Sequence, residues 1–353
     1  MSLRDRLERM IAEIGPISVA QYMTACLHDP QGGYYATRPA LGPGGDFITA
    51  PLISQMFGEL IGVWAASAWE QMGRPKRFRL VEMGPGDGTL MSDMLRAARL
   101  APDFLQAADI WLVEVSAPLQ ALQAERLGDG VRWARSLEEV PRGVPLLLIA
   151  NELLDCLPAR QFVRTAIGWA EQVIGLDSRG RLAFGLTATP ATGLLPDAPE
   201  GAVFEQSAAQ TALGAQLARR IVADGGAALL IDYGRAEPGF GDTLQALRRH
   251  EKVDPLACPG EADLTVHADF PAVLDAAEAQ GAATAILSQA IFLAKLGIGA
   301  RSEALLRARP DRSATVGRQL HRLVGADEMG ELFQAICIHS PGWTPPAFED
   351  RDL

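Results

Sequence analysis

The stretch Arg79-Leu80-Val81-Glu82-Met83-Gly84-Pro85-Gly86-Asp87-Gly88-Thr89-Leu90 constrains this chain more than any other. An apolar run of strand character meets three glycines at alternate positions, and a helical pattern begins at Thr89. Glycines there let the backbone turn sharply and approach a ligand with no Cβ in between. The free N–H groups of the helix start then face that ligand.

The flanking sequence supplies the sheet such a turn needs. Periodicity predicts a strand over 77–83, a helix over 89–100, a buried strand over 110–115, a helix over about 118–127, a short strand over 131–134 and a strongly apolar strand over 144–150. That alternation implies a parallel sheet with helices on both faces. Upstream, residues 2–28 carry helical spacing interrupted at Gly15-Pro16, with Ser18 placed to cap a second short helix. Loop chemistry follows in Gly32-Gly33-Tyr34-Tyr35 and Gly42-Pro43-Gly44-Gly45-Asp46, then a long helix over 54–72. Residues 160–186 break the rhythm: 161–164, 172–176 and 181–186 read as antiparallel strands, an insertion before the next parallel strand at 227–232.

Composition narrows the partners. The chain has 353 residues, 48% hydrophobic and 21% charged, enough for a sizeable core in one large domain with insertions or in two domains. A net charge of −11 argues against nucleic acid, which draws on clustered Lys and Arg. Lys76, Lys252 and Lys295 are the only lysines, so the positive charge is nearly all arginine. Cys26, Cys156, Cys258 and Cys337 form no CxxC pair, which points to reduced core residues and to no metal site. The first residues carry acids and no apolar segment of a signal peptide, and no run reaches the ~18 apolar residues of a membrane span. A cytoplasmic protein without a membrane span is expected.

Three ligands compete for the glycine turn. A P-loop needs Gly-Lys-Ser/Thr, and Thr89 follows Gly88 with no lysine. A dinucleotide fingerprint wants its third glycine where Thr89 stands, and the acidic Glu82 at the strand end discourages a pyrophosphate. The same acid suits the cationic methionine end of S-adenosylmethionine. A tight turn with no ligand is the plain alternative. The next strand ends Glu114-Val115-Ser116, where an acid can bind both ribose hydroxyls, although Glu114 also reads as a solvated strand-end acid.

The strand over 144–150 ends in Asn151-Glu152-Leu153-Leu154-Asp155, and ligands of open parallel sheets sit at the carboxyl ends of strands. Methyl transfer to an activated carbon depends on positioning more than on acid–base power. Asn151 offers a neutral amide, Glu152 and Asp155 carboxylates suited to a guanidinium. Asn151 and Asp155 read equally as caps of a following helix. Asp232-Tyr233-Gly234 closes another strand, and His267 stands between Asp263 and Asp269, as a proton acceptor, a substrate contact or a structural histidine.

Taken together, these blocks resemble the MidA-like methyltransferases. The matching stretches are Gly15-Pro16-Ile17-Ser18, Gly44-Gly45-Asp46-Phe47-Ile48-Thr49, Ser54-Gln55-Met56-Phe57-Gly58-Glu59, the turn at 82–90, Ala150-Asn151-Glu152-Leu153-Leu154-Asp155, Asp232-Tyr233-Gly234 and 263–270. The resemblance implies a class I methyltransferase fold: a Rossmann-like α/β, seven-stranded, mostly parallel sheet with an N-terminal helical extension and an inserted antiparallel region. It implies S-adenosyl-L-methionine as cofactor. By the family's eukaryotic members, which are mitochondrial, it implies symmetric dimethylation of an arginine on a core subunit of respiratory complex I. Asp87 departs from the family's usual Arg, and Leu52 stands where an acid is common.

The expected division is an N-terminal helical or lid region over 1–73 and a methyltransferase domain over 74–353, with an insertion at about 160–226 and a substrate-side segment at about 235–280. Expected cofactor-binding residues are Thr49, Glu82, Gly84, Pro85, Gly86, Gly88, Thr89, Glu114, Ser116 and Asn151. Expected catalytic residues are Glu152, Asp155 and His267, with no metal. A protein-arginine methyltransferase is the first reading. A methyltransferase for another protein or a small molecule, and an assembly chaperone that binds the cofactor without turnover, are the alternatives, and a nicotinamide enzyme is disfavoured.

Overall fold

The computed structural model describes residues 1–37, 49–188, 191 and 195–349. The glycine-rich stretch 42–46 and the family stretch 44–48 lie outside the described residues. The chain divides into two compact units. One gathers Ile48–Leu153, Ala212–Ala236 and Ala272–Leu353; the other gathers Met1–Phe47, Leu154–Thr211 and Glu237–Pro271.

The first is a parallel-sheet unit. Its strands are β1 (Phe78–Met83), β2 (Ala108–Val113), β3 (Val131–Ala134), β4 (Leu146–Asn151), β5 (Gly226–Arg235), β6 (Ala283–Ser288) and β7 (Phe333–His339). They lie in the order β6-β7-β5-β4-β1-β2-β3. β1 to β5 pair in parallel, and β7 runs antiparallel to both β5 and β6. These seven strands, in an eight-stranded sheet, form the mostly parallel arrangement expected. Each strand and helix expected between 77 and 150 is present, with ends moved by at most two residues. The central strands are buried through Leu80, Val81, Leu146–Ile149 and Leu229–Ile231, which is why they read as continuous apolar runs.

Helices α1 (Gln55–Gln71), α2 (Thr89–Ala98) and α3 (Ala117–Leu127) belong to the same unit. α1 approaches α2 closely at two glycines. A Cβ on Gly58 would lie 2.6 Å from the Asp93 Cβ, and one on Gly62 would lie 2.6 Å from the Met94 carbonyl oxygen. Next to Gly58, the nearly buried Glu59 accepts from Arg96 Nη2 at 3.0 Å and Arg301 Nε at 2.7 Å. The stretch 54–59 thus fixes the helix that leaves the glycine turn, a packing role.

The second is an antiparallel unit. Its helices Leu3–Ile14 and Val19–His28 both start with capping boxes, on Ser2 and, as expected, on Ser18. Arg160–Thr165 pairs with Gly168–Leu176 and with Val203–Gln206. Gly168–Leu176 also takes Ile17–Ser18 and Leu182–Leu186. A smaller sheet joins Gln245–Arg248 to Glu251–Val253 and to Asp263–Thr265. The three antiparallel strands expected over 161–186 are all there.

Candidate cofactor and active site

Strand order decides where a ligand belongs in the parallel-sheet unit. From β1 the chain steps outward through β2 and β3, then returns to the other side of β1 as β4 and continues to β5. The direction switches between β1 and β4, and the crevice at the carboxyl ends of those strands is the binding place in open α/β sheets. Met83 and Ala150 are paired there, so the glycine turn and Asn151-Glu152 leave the sheet side by side. A Cβ on Gly84 would stand 3.1 Å from the Leu153 Cδ1.

The turn requires its glycines. Gly84, Gly86 and Gly88 have φ of 67°, 54° and 80°, the left-handed region that side chains other than glycine's seldom enter. Gly84 N donates to Val113 O at 3.2 Å and Gly88 N to Pro85 O at 2.8 Å, closing the turn around the buried Pro85. Gly88 starts α2 without a side-chain cap, and Asp87 compensates. Its Oδ1 accepts from Thr89 N at 3.0 Å while Oδ2 pairs with Arg126 of α3 at 3.0 Å. The departure at Asp87 is therefore matched within the chain.

Three polar atoms around this crevice are buried with no partner in the protein: Glu82 Oε2, Ser116 Oγ and Asn151 Oδ1. Buried polar groups in native proteins are nearly always satisfied, so unmet ones at a strand-end crevice ask for a ligand. They stand on β1, after β2 and on β4, around the switch point. Glu82 is 2% exposed; burial, the nearby Asp87 charge and a weaker opposing contact from the Met91 backbone N–H leave its carboxyl well above the usual range. A cationic group would restore its ionised form. Glu114, 8% exposed, is likewise raised by burial, opposed by hydrogen bonds from Ser116 and Gln123. Ser116 N donates to its Oε1 at 2.7 Å and Gln123 Nε2 reaches its Oε2 at 3.4 Å. The reading of Glu114 as a solvated strand-end acid does not hold.

Thr49 precedes the short helix Ala50–Ile53 and makes no side-chain cap. The adjoining Ala50 N donates to Glu152 Oε1 at 3.2 Å, and Asn151 Nδ2 donates to the same oxygen at 2.8 Å. Glu152 itself has φ of 54°, uncommon for a residue with a side chain, and its N–H donates to Ile231 O at 2.8 Å. Held backbone strain of this kind gathers at functional sites.

Asp155 and His267 belong to the antiparallel unit. The helix that Asn151 or Asp155 was read as capping does not form; a turn closed by Leu157 N to Leu154 O follows β4 instead. Val266 N donates to Asp155 O at 2.9 Å, so the structure brings Asp155 to the His267 segment. His267 N donates to Thr243 Oγ1 at 2.9 Å, and Tyr35 Oη donates to both oxygens of Asp263 at 2.9 and 3.0 Å. Sequence reasoning missed Tyr35, Gln123, Arg126 and the Ala50 amide. For Gln123 a signal existed: it stands four residues after buried Leu119, on the core side of α3.

Comparison with known proteins fits this geometry. A family model described as "Putative S-adenosyl-L-methionine-dependent methyltransferase" matches residues 60–288. The protein arginine methyltransferase NDUFAF7, mitochondrial, of Danio rerio is 38% identical over 96% of this chain and 86% of its own length. That of Homo sapiens is 36% identical over 93% and 81%. A crystal structure of a "likely methyl transferase" from Burkholderia thailandensis bound to S-adenosyl-homocysteine superposes with a TM-score of 0.85, at 28% identity over 99% of this chain and 94% of that one. The switch-point glycine turn, its unmet polar atoms and these relatives converge: the chain belongs to the family of S-adenosyl-L-methionine-dependent methyltransferases.

Proposed function

We propose that this chain is a protein-arginine N-methyltransferase that carries out symmetric dimethylation, with a core subunit of respiratory complex I or a similar protein as acceptor. The observation that carries the reading is Glu152, a carboxylate fixed in a left-handed conformation where β4 leaves the sheet beside the glycine turn. The arginine methyltransferase names of relatives aligned over most of the chain support it, and the complex I subunit rests on the family resemblance.

S-adenosyl-L-methionine, when bound, supplies a methyl group activated by a sulfonium. Gly84, Pro85, Gly86, Gly88 and Thr89 would lie against it with no side chain intervening at the glycines. Glu82 would face its cationic methionine end, Glu114 the ribose hydroxyls, and Ser116, Asn151 and Thr49 would complete the contacts. Glu152 would orient the acceptor guanidinium by charge-assisted hydrogen bonds and draw its positive charge away from the attacking nitrogen. Asp155 and His267 would contact the acceptor, and the segments at about 160–226 and 235–280 would recognise the protein that carries it. The division into an N-terminal helical region over 1–73 and a catalytic domain over 74–353 belongs to the same proposal, with α1 of that region packed within the parallel-sheet unit. Four cysteines present as free thiols suit a reducing compartment, for which we propose the cytoplasm.

Purified protein incubated with methyl-labelled cofactor and a lysate of its source cells tests this. The expected result is a labelled protein band that yields symmetric dimethylarginine on hydrolysis. A labelled small molecule would make the chain a different methyltransferase, and cofactor binding without transfer would make it a chaperone.

A further inference from the structure

We propose that Gln123 is a positioning residue of the cofactor site, orienting the Gly86 carbonyl of the turn and the Glu114 carboxylate for the ribose. This rests on the S-adenosylmethionine reading above. Gln123 has no exposed surface, in the middle of α3. Burying an amide is unfavourable unless its hydrogen bonds are met, so a leucine or methionine would serve packing as well or better.

The orientation of its amide follows from chemistry. Trp133 Nε1 can only donate, and it lies 2.8 Å from the Gln123 Oε1, which fixes that atom as the oxygen. The nitrogen must then face the other way. There it finds the Gly86 carbonyl oxygen at 2.7 Å and Glu114 Oε2 at 3.4 Å. Both its hydrogens therefore point at groups of the cofactor site, one on the glycine turn and one on the acid after β2. Ser116 N holds the other oxygen of Glu114, so the two contacts together set the plane of the carboxylate. The side-chain stem supports the turn as well, since a Cβ on Gly88 would stand 3.4 Å from the Gln123 Cγ. Arg126, three residues on, grips Asp87. One face of α3 thus holds the turn and the ribose acid in register.

Gln123→Met keeps length and removes the donors. Calorimetry on the full chain, with S-adenosylhomocysteine and its 2′-deoxy analogue as probes, reads the effect. Wild type is expected to prefer the ribose form. The variant is expected to bind S-adenosylhomocysteine roughly tenfold more weakly, about one well-placed hydrogen bond, and to lose most of its preference over the 2′-deoxy form. Unchanged affinity, or equal loss for both probes with the preference intact, would overturn the proposal, because a packing role moves both alike. Failure of wild type to bind S-adenosylhomocysteine would instead overturn the cofactor reading on which it rests. Should Gln123→Met not fold, Trp133→Phe removes the donor that fixes the amide while keeping an aromatic ring at that place. A smaller fall in the same preference supports the proposal, and an unchanged preference overturns it.

Discussion

Two sets of buried polar groups, one in each unit, differ in how they are satisfied. In the parallel-sheet unit, Glu82 Oε2, Ser116 Oγ and Asn151 Oδ1 sit around one crevice with no protein partner. In the antiparallel unit, the polar groups of buried Gln161 and Glu205 are met by protein partners. Gln161 Nε2 donates to Glu205 Oε1 at 2.9 Å and to Asp242 Oδ1 at 2.8 Å, while Gln172 Nε2 donates to Gln161 Oε1 at 2.7 Å. Thr243 adds bonds from its N–H and hydroxyl to the Glu205 carboxylate at 3.0 and 2.5 Å. A met network rigidifies a scaffold, whereas an unmet set is costly unless something binds there. Between these two sets, unmet hydrogen-bonding capacity, more than the presence of charge, marks the candidate ligand site.

The largest effect expected on that contrast is Gly86→Val. A branched side chain at φ of 54° strains the turn and fills the space a ligand needs, so calorimetry should show no S-adenosylhomocysteine binding by a folded variant. Normal binding by that variant would reduce the turn to a structural feature. Next comes Glu152→Gln, which keeps shape and removes charge. Methyl transfer should fall by roughly a hundredfold or more while cofactor affinity is retained. Equal rates would take Glu152 out of the chemistry, and lost affinity would make it a cofactor contact.

Much of this site was legible because its chemistry is local. The strand, the three glycines and the helix start are contiguous, and the positive φ each glycine adopts fits the sharp turn expected there. Glu114 was found by its place at a strand end, but its burial was not, because that depends on Gln123 and Ser116 folding over it. β6 and β7 were implied only as a strand count taken from the family. Their residues were not located, since short apolar runs amid helical patterns fit either structure. The strand order, which places β4 beside β1 and so makes the switch point, is a long-range fact that no window of sequence carries. The same holds for Tyr35 meeting Asp263 across 228 positions.

Two smaller effects sharpen the contrast. Glu114→Ala should weaken cofactor binding by ~1–3 kcal/mol and leave stability nearly unchanged. Gln172→Leu removes one bond of the Gln161 network and should cost about 1 kcal/mol of unfolding free energy in denaturant titration, with S-adenosylhomocysteine affinity untouched. If the network variant loses affinity and the Glu114 variant loses stability, the contrast between the units fails.

A last effect is a pH slope from Glu82. Its folded-state carboxyl titrates well above its ordinary 4.5, so above that value the folded state holds a proton the unfolded state has released. Its contribution to stability is therefore present below pH 4.5 and lost as pH rises through the folded value. Relative to Glu82→Gln, wild type should gain stability as pH falls from 7 toward 5. Its affinity for S-adenosylhomocysteine should fall over the same interval, because the ligand's α-ammonium needs the ionised carboxylate. A variant with the wild-type slope would show that Glu82 does not titrate in this way.

Amide hydrogen exchange with and without S-adenosylhomocysteine tests the central claim most directly, because it reads both units in one measurement. Slowed exchange on binding is expected in peptides covering 82–91, 114–117 and 150–153, and little change in those covering 160–176 and 203–206. Protection confined to the latter, or none near the glycine turn while the ligand is bound, would contradict the claim.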